Sequence, residues 1–300
     1  MKADMAKYDI YTIAQPEPGH YRILSPAAVY MELFVGTERA LLLDTGFGFG
    51  DLRGAVRSIT DLPLVIVCTH GHSDHTFGNG MFTEPVYLDK RDMELCRRQN
   101  NRAHREKNIR IARHWGAGYG GAEEEGGPEV KYEDILSDSF DEETYLTLGC
   151  GDLRPLDPEQ CIDLGGLHLM PVHVPGHTAG SIGLLWQEKN IFFSGDAMNP
   201  DVWLFFPESL PLSVYRETLY KAKALHFDGM YCSHHHEFMA PSVLDDYLEL
   251  AIDPDFEHGY AFVSEMAEGV EARLCIRKGY RPEDTHVPGF AGMVIDRAHL

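Results

Sequence analysis

Positive charge is scarce in this chain. Its 300 residues carry 47 acidic against 26 basic side chains, a formal charge of -21, and a field of that sign repels nucleic-acid backbones and anionic membrane surfaces. Long apolar runs are missing as well. The amino-terminal MKADMAKYDIYTIAQ has no hydrophobic core of signal-peptide length, and no later segment reaches the unbroken apolar stretch of a membrane span. Paired cysteines are absent too. The six, at 68, 96, 150, 161, 232 and 275, include no C-x-x-C or other short metal-binding spacing, so they read as thiols of a reducing compartment, most of them buried. No internal repeat is visible. These absences predict a cytoplasmic protein acting on a small molecule, with no nucleic-acid or membrane partner.

What is present is a series of short apolar runs separated by turn residues. AVYMELFV (28 to 35), RALLLDTG (39 to 46), LPLVIVCTH (62 to 70), LHLMPVHV (167 to 174), SIGLLW (181 to 186), NIFFSGD (190 to 196) and GMYCSH (229 to 234) have the β-branched and aromatic content of buried strands. The turn GTE at 36 to 38 predicts a hairpin between the first two. LSVYRETLYKAKALH (212 to 226) places Val214, Leu219, Ala222 and Leu225 near helical spacing. Strands and helices mixed in this way predict an α/β or α+β sandwich. Residues 88 to 160 depart in composition, through an arginine-rich helix (Arg97, Arg98, Arg102, Arg105, Arg110, Arg113) and then GAGYGGAEEEGGPE, and read as an insertion placed to act as a lid. The main domain is expected over residues 1 to 250. A C-terminal extension over 251 to 300, with strand-like EARLCIRKG and GFAGMVIDR, would pack on it or on a second copy of the chain in a homodimer.

The chemistry is concentrated where LPLVIVCTH runs into His70-Gly71-His72-Ser73-Asp74-His75. Three imidazoles and a carboxylate within six residues, leaving a buried strand, are what a divalent cation of borderline softness requires. A capped helix start with solvated histidines would use Ser73 or Asp74 but has no need of so dense a cluster. The string THGHSDHTFGN resembles the His-X-His-X-Asp-His signature of the metallo-β-lactamase superfamily, and further landmarks follow in that family's order over residues 8 to 240. Asp44 in LLLDTG, His177 in VHVPGHTAGS, Asp196 in IFFSGDAM and a histidine of GMYCSHHHE occupy the matching places. Singly, His177 after Pro-Gly and Asp196 after Ser-Gly also fit turns.

The resemblance implies a four-layer αβ/βα sandwich with a largely helical insertion, and a site for two divalent ions, zinc first and iron or manganese as alternatives. One ion would take His70, His72 and His177. The other would take Asp74, His75 and the late histidine, with Asp196 bridging, and Asp74 and Asp196 are the catalytic candidates. His234 is favoured as the last ligand because Ser233 falls where the family has glycine, with His235 in reserve. Asp44 is expected to orient the first motif by hydrogen bonding. His20, His104, His114, His168, His173, His226, His258, His286 and His299 lack such context and read as surface or structural.

The ligand set resembles the glyoxalase II-like and lactonase-like branches, which implies hydrolysis of an ester, thioester, lactone or similar bond. An iron-dependent oxidoreductase of the persulfide dioxygenase kind is the alternative, ahead of a nuclease or a non-catalytic metal-binding module. Trp203, Phe205 and Phe206 in NPDVWLFFPESLP offer an apolar wall for the substrate and equally fit ordinary core.

Overall fold

The computed structural model describes residues 5–116, 135–158, 160–264, 269–285 and 287–300. The chain divides into two compact units, Met1–Leu169 and Met170–Leu300. GAGYGGAEEEGGPE falls almost wholly outside the described residues, as does His286.

The first unit is built on an eight-stranded sheet whose strands lie side by side in chain order. Its first five strands are β1 (Met5–Tyr8), β2 (Tyr11–Glu17), β3 (His20–Ser25), β4 (Val29–Val35) and β5 (Ala40–Leu43), each antiparallel to its neighbour. The hairpin expected at 36 to 38 joins β4 to β5. After β5 the pattern changes. Helix α1 (Leu52–Ile59), capped by the Asp51 side chain on the Gly54 N–H, returns the chain so that β6 (Leu64–Val67) runs parallel to β5. β7 (Pro85–Leu88) and β8 (Asp152–Pro155) continue the parallel half. β5 and β6 read as continuous apolar runs because a parallel strand has both faces covered.

Between β6 and β7 lies the four-residue α2 (Ser73–Thr76), and between β7 and β8 come α3 (Met93–Gln99), α4 (Arg102–His114) and α5 (Glu142–Thr147). The range 88 to 160 is therefore helical over its described middle, and it also supplies the strand at the sheet edge. β8 is mostly exposed and polar, which is why no hydrophobic run announces it. Among the arginines of this range, Arg102 and Arg113 make exposed ion pairs with Glu106 and Glu142. Arg105 is wholly buried between the rings of Phe77, 4.3 Å from its guanidinium, and Tyr145, at 4.8 Å. The unit closes with β9 (Ile162–Asp163) paired to the first residues of β10 (His168–His173), the strand that crosses into the second unit.

In the second unit β10 is followed by β11 (Ile182–Trp186), β12 (Ile191–Phe193) and β14 (Gly229–Tyr231), neighbours in that order, with β14 parallel to β12. β13 (Asp201–Leu204) belongs to another sheet with β15 (Tyr260–Phe262), β16 (Ala272–Ile276) and β17 (Gly292–Asp296). The two strand-like runs of the tail thus appear as β16 and β17, and β17 pairs with β13. Helices α6 (Leu212–Lys223) and α7 (Val243–Ile252) share one buried core with Val172, Val174, Phe192, Met198 and Met293. α6 buries Leu212, Tyr215, Leu219 and Ala222 at helical spacing, so its apolar stripe runs through Tyr215, with Val214 half-buried beside it. No helix among the described residues is long and apolar enough to cross a membrane.

Candidate metal centre

β5 and β6 run parallel with Leu43 opposite Val67, so the residues that follow them leave the sheet side by side at the carboxyl ends of the strands. That register brings Asp44 to the motif. Its carboxylate accepts the Thr69 N–H at 2.7 Å and the Thr69 hydroxyl at 2.9 Å, and lies 2.8 Å from His75 Nδ1. Asp44 is buried and adopts a left-handed backbone, φ 64°, a conformation aspartate tolerates better than most side chains. The short contact places the His75 proton on Nδ1 and leaves Nε2 with its lone pair, 3.4 Å from Asp74 Oδ2.

The same chain of bonds fixes His70. The Thr69 hydroxyl gives its proton to Asp44, so it accepts from His70 Nδ1 at 3.0 Å. His70 Nε2 is then the lone-pair nitrogen, 3.0 Å from His72 Nδ1. Two imidazole nitrogens on one tetrahedral ion, with bonds of about 2.0–2.1 Å, sit roughly 3.3 Å apart, so this pair matches the spacing of shared ligands. His70, His72 and His75 are buried and Asp74 is half-buried.

Residues that the sequence did not single out support this loop from behind. Thr45 donates its N–H to the His75 carbonyl at 2.9 Å and its hydroxyl to Asn79 Oδ1 at 2.7 Å. Asn79 Oδ1 also accepts from the Cys68 thiol. The Asp92 carboxylate takes the Gly71 N–H at 2.9 Å. Gly78 has to be glycine, because a Cβ would collide with the Thr45 carbonyl oxygen. The Arg105 guanidinium donates to the Phe77 carbonyl at 3.0 Å, directly after α2.

The second unit has a matching arrangement. β12 and β14 are parallel with Phe193 opposite Tyr231, so the residues three places beyond each, Asp196 and His234, emerge together. One carboxylate oxygen of Asp196 lies 3.2 Å from His234 Nε2 and 3.6 Å from His177 Nε2. His177 Nδ1 is 2.7 Å from the Trp203 carbonyl oxygen, which fixes its proton there and directs the Nε2 lone pair at Asp196. Ser209 holds the His177 carbonyl at 2.9 Å. Two buried tyrosines pin the loop after Asp196: Tyr215 donates to Ala197 O at 2.9 Å and Tyr247 to Asn199 O at 2.7 Å. Burial raises the pKa of both phenols, which keeps them as donors. His235 is buried, takes the Glu237 N–H on Nδ1 at 3.2 Å, and stacks on His236.

Trp203 and Phe206 are half-buried and Phe205 is buried. Phe206 meets the edge of His177, with centroids 5.8 Å apart, and the Trp203 indole N–H donates to Asp201 at 3.2 Å. Burial raises the Asp201 carboxyl pKa, with the Trp203 hydrogen bond acting against it. Among the other histidines, His20 is wholly buried on Glu32, which Arg22 also holds.

The chain is 30% identical over 177 residues to the acyl-coenzyme A thioesterase MBLAC2 of Gallus gallus, a stretch that takes in 54% of this chain; the chain spans about half, 55%, of that relative's length. A metallo-beta-lactamase from Pontibacter korlensis superposes with a TM-score of 0.51 at 15% identity, covering 84% of this chain and 99% of that one. The sec-alkylsulfatase Pisa1 from Pseudomonas sp. gives 0.59 at 14% identity, over 81% of this chain and 42% of that one. At such identities these structures speak for the fold alone. The family model of the metallo-beta-lactamase superfamily matches residues 25–86 and 93–240, a span that runs from β4 to just beyond β14 and takes in each motif described above. On that breadth of match, the chain belongs to the metallo-beta-lactamase superfamily.

Proposed function

We propose that the chain is a metal-dependent hydrolase that cleaves a thioester, or a related ester or lactone, in a small molecule. The observation that carries this reading is the Asp196 carboxylate, one oxygen of which lies 3.2 Å from His234 Nε2 and 3.6 Å from His177 Nε2, within reach of both groups of candidate ligands. The thioesterase relative supports a thioester as the first substrate class. His70, His72 and His177 are assigned to one divalent ion, and Asp74, His75, Asp196 and His234 to the other. Zinc is the first assignment, since imidazole and carboxylate ligands suit it, with iron and manganese next. Two ions so held would bring the pKa of a water towards neutrality and polarise a carbonyl oxygen.

The chain's own groups supply the rest. Asp44 keeps His75 in one tautomer, and the Trp203 carbonyl does the same for His177. Asp74, whose side chain is 16% exposed, is placed to accept the proton of the attacking water and return it to the leaving sulfur or oxygen. Trp203 and Phe206, with Phe205 packed behind them, offer the apolar part of the substrate a wall beside His177.

The test is metal analysis of protein purified without chelator, joined to turnover of a panel of acyl thioesters, aryl esters and lactones. The expected result is about two divalent ions per chain and hydrolysis that His72→Ala and Asp196→Asn abolish. Iron with oxygen uptake and no hydrolysis would identify an iron-dependent oxidoreductase and end the hydrolase reading. A metal-loaded chain that turns nothing over, and in which His70→Ala changes stability alone, would mark a binding module.

A further inference from the structure

α3 and the loop leading into β8 bring two thiols together in the first unit. Cys96, on α3, is buried; Cys150, between Gly149 and Gly151, is half-buried. Both are free thiols, and the Cys150 thiol donates to the Cys96 carbonyl oxygen at 3.9 Å, which sets the two residues against one another. The two flanking glycines are exposed, so a small solute meets Cys150 first, and Cys96 sits behind it.

The surroundings favour a thiolate at the outer sulfur. The neighbouring Cys96 lowers the Cys150 thiol against the cost of burial, and the Arg105 and Arg97 guanidinium groups act in the same direction. Arg105 is wholly buried, and its Nη1 has no hydrogen-bond partner among the described residues, although Nη2 and Nε are engaged with Phe77 and Asn100. A buried cation with a spare N–H beside a thiol stabilises the anion. Cys96 is raised, chiefly by its neighbour Cys150 and by burial. The outer sulfur is the one that a solute reaches, and the inner one stays a buried thiol behind it.

We propose that Cys96 and Cys150 form a peroxide-responsive pair, in which Cys150 is oxidised first and Cys96 closes the disulfide. The Cys150 thiolate attacks one oxygen of hydrogen peroxide; the O–O bond breaks, a sulfenic acid forms, and hydroxide leaves and takes up a proton. The Cys96 sulfur then attacks the sulfenic sulfur, the S–O bond breaks, and the departing hydroxide takes the Cys96 proton. Two thiols and one peroxide become one disulfide and two waters, a two-electron oxidation of the protein and reduction of the peroxide. Because Asp92, at the start of α3, holds the Gly71 N–H at 2.9 Å, the linkage joins α3 and the approach to β8 behind the His70-to-His75 loop.

The experiment is peroxide titration of the full chain, followed by alkylation under denaturing conditions and peptide mapping without reductant. Free thiols should fall from six to four, with the peptides of Cys96 and Cys150 joined and separated again by dithiothreitol. In Cys96→Ala, Cys150 should stop at the sulfenic acid and be captured by a 1,3-dione probe. In Cys150→Ser, Cys96 should stay reduced at the same peroxide concentration. Cys96 still free after Cys150 has reached the sulfinic acid would overturn the proposal, as would a first cross-link made through Cys161 or between chains.

Discussion

Asp44 spends its acceptor capacity on three groups at once, the Thr69 amide, the Thr69 hydroxyl and His75 Nδ1. Asparagine has the same shape but turns an NH2 group towards either Thr69 or His75. One ring then loses the tautomer that leaves Nε2 with its lone pair. Asp44→Asn is expected to lower metal affinity by about 10–100-fold, as changes to groups that orient a ligand do, while the far-ultraviolet circular dichroism stays the same; competition with a chromophoric chelator measures it. Glu32 makes a prediction on stability instead. Burial opposes its ionisation, yet Arg22 and His20 outweigh that cost and hold the carboxyl below its ordinary value of 4.5. A carboxyl lowered by folding contributes stability that is full above that value and is lost as pH falls below it. Urea midpoints measured from pH 6 to pH 3 should therefore drop more steeply in the wild type than in Glu32→Gln. The variant should already be weaker at pH 6, by about 3–5 kcal/mol, because its neutral amide removes the carboxylate from the buried pair with Arg22.

At the scale of elements, α4 separates what a sequence announces from what it conceals. Its composition predicts a helix, and the helix is there. Which of its arginines faces inward depends on Phe77 and Tyr145, which lie 28 and 40 residues away from Arg105 in the chain, and nothing within the helix encodes their position. Arg105→Ala is expected to cost about 3 kcal/mol, through a cavity and the lost bond to the Phe77 carbonyl. Arg102→Ala, which removes only an exposed pair with Glu106, should cost less than about 1 kcal/mol. Equal losses in urea unfolding would show that Arg105 is not the hinge-pin its packing suggests. The candidate site was more legible. His70 to His75 are contiguous, and Asp196 and His234, which the resemblance to the family picked out, each stand three residues past strands that pair in register. Their supports were hidden because the acting atoms are a backbone carbonyl at Trp203, hydroxyls at Thr45, Thr69 and Ser209, and tyrosines on helices distant in sequence. The strands β1 to β3 and β8 also went unread, for lack of a continuous hydrophobic run.

Over the whole molecule, the proposed ligands fall in both units: His70, His72, Asp74 and His75 precede the boundary at Leu169, and His177, Asp196 and His234 follow it. An ion held by these side chains binds the folded chain and not the unfolded one, so its free energy adds to the stability. An ion present at about 1,000 times its dissociation constant contributes about 4 kcal/mol, which for a chain of this size corresponds to a shift in melting temperature on the order of 10 °C. Chelation should therefore lower the melting temperature by that amount. Adding zinc back should restore it. His72→Ala and His177→Ala, one from each unit, should lie near the chelated wild type and respond little to zinc. A chain verified to have lost its metal, yet melting at the original temperature, would mean that these side chains do not hold the ions in the folded state, and the ligand assignment would fall with it.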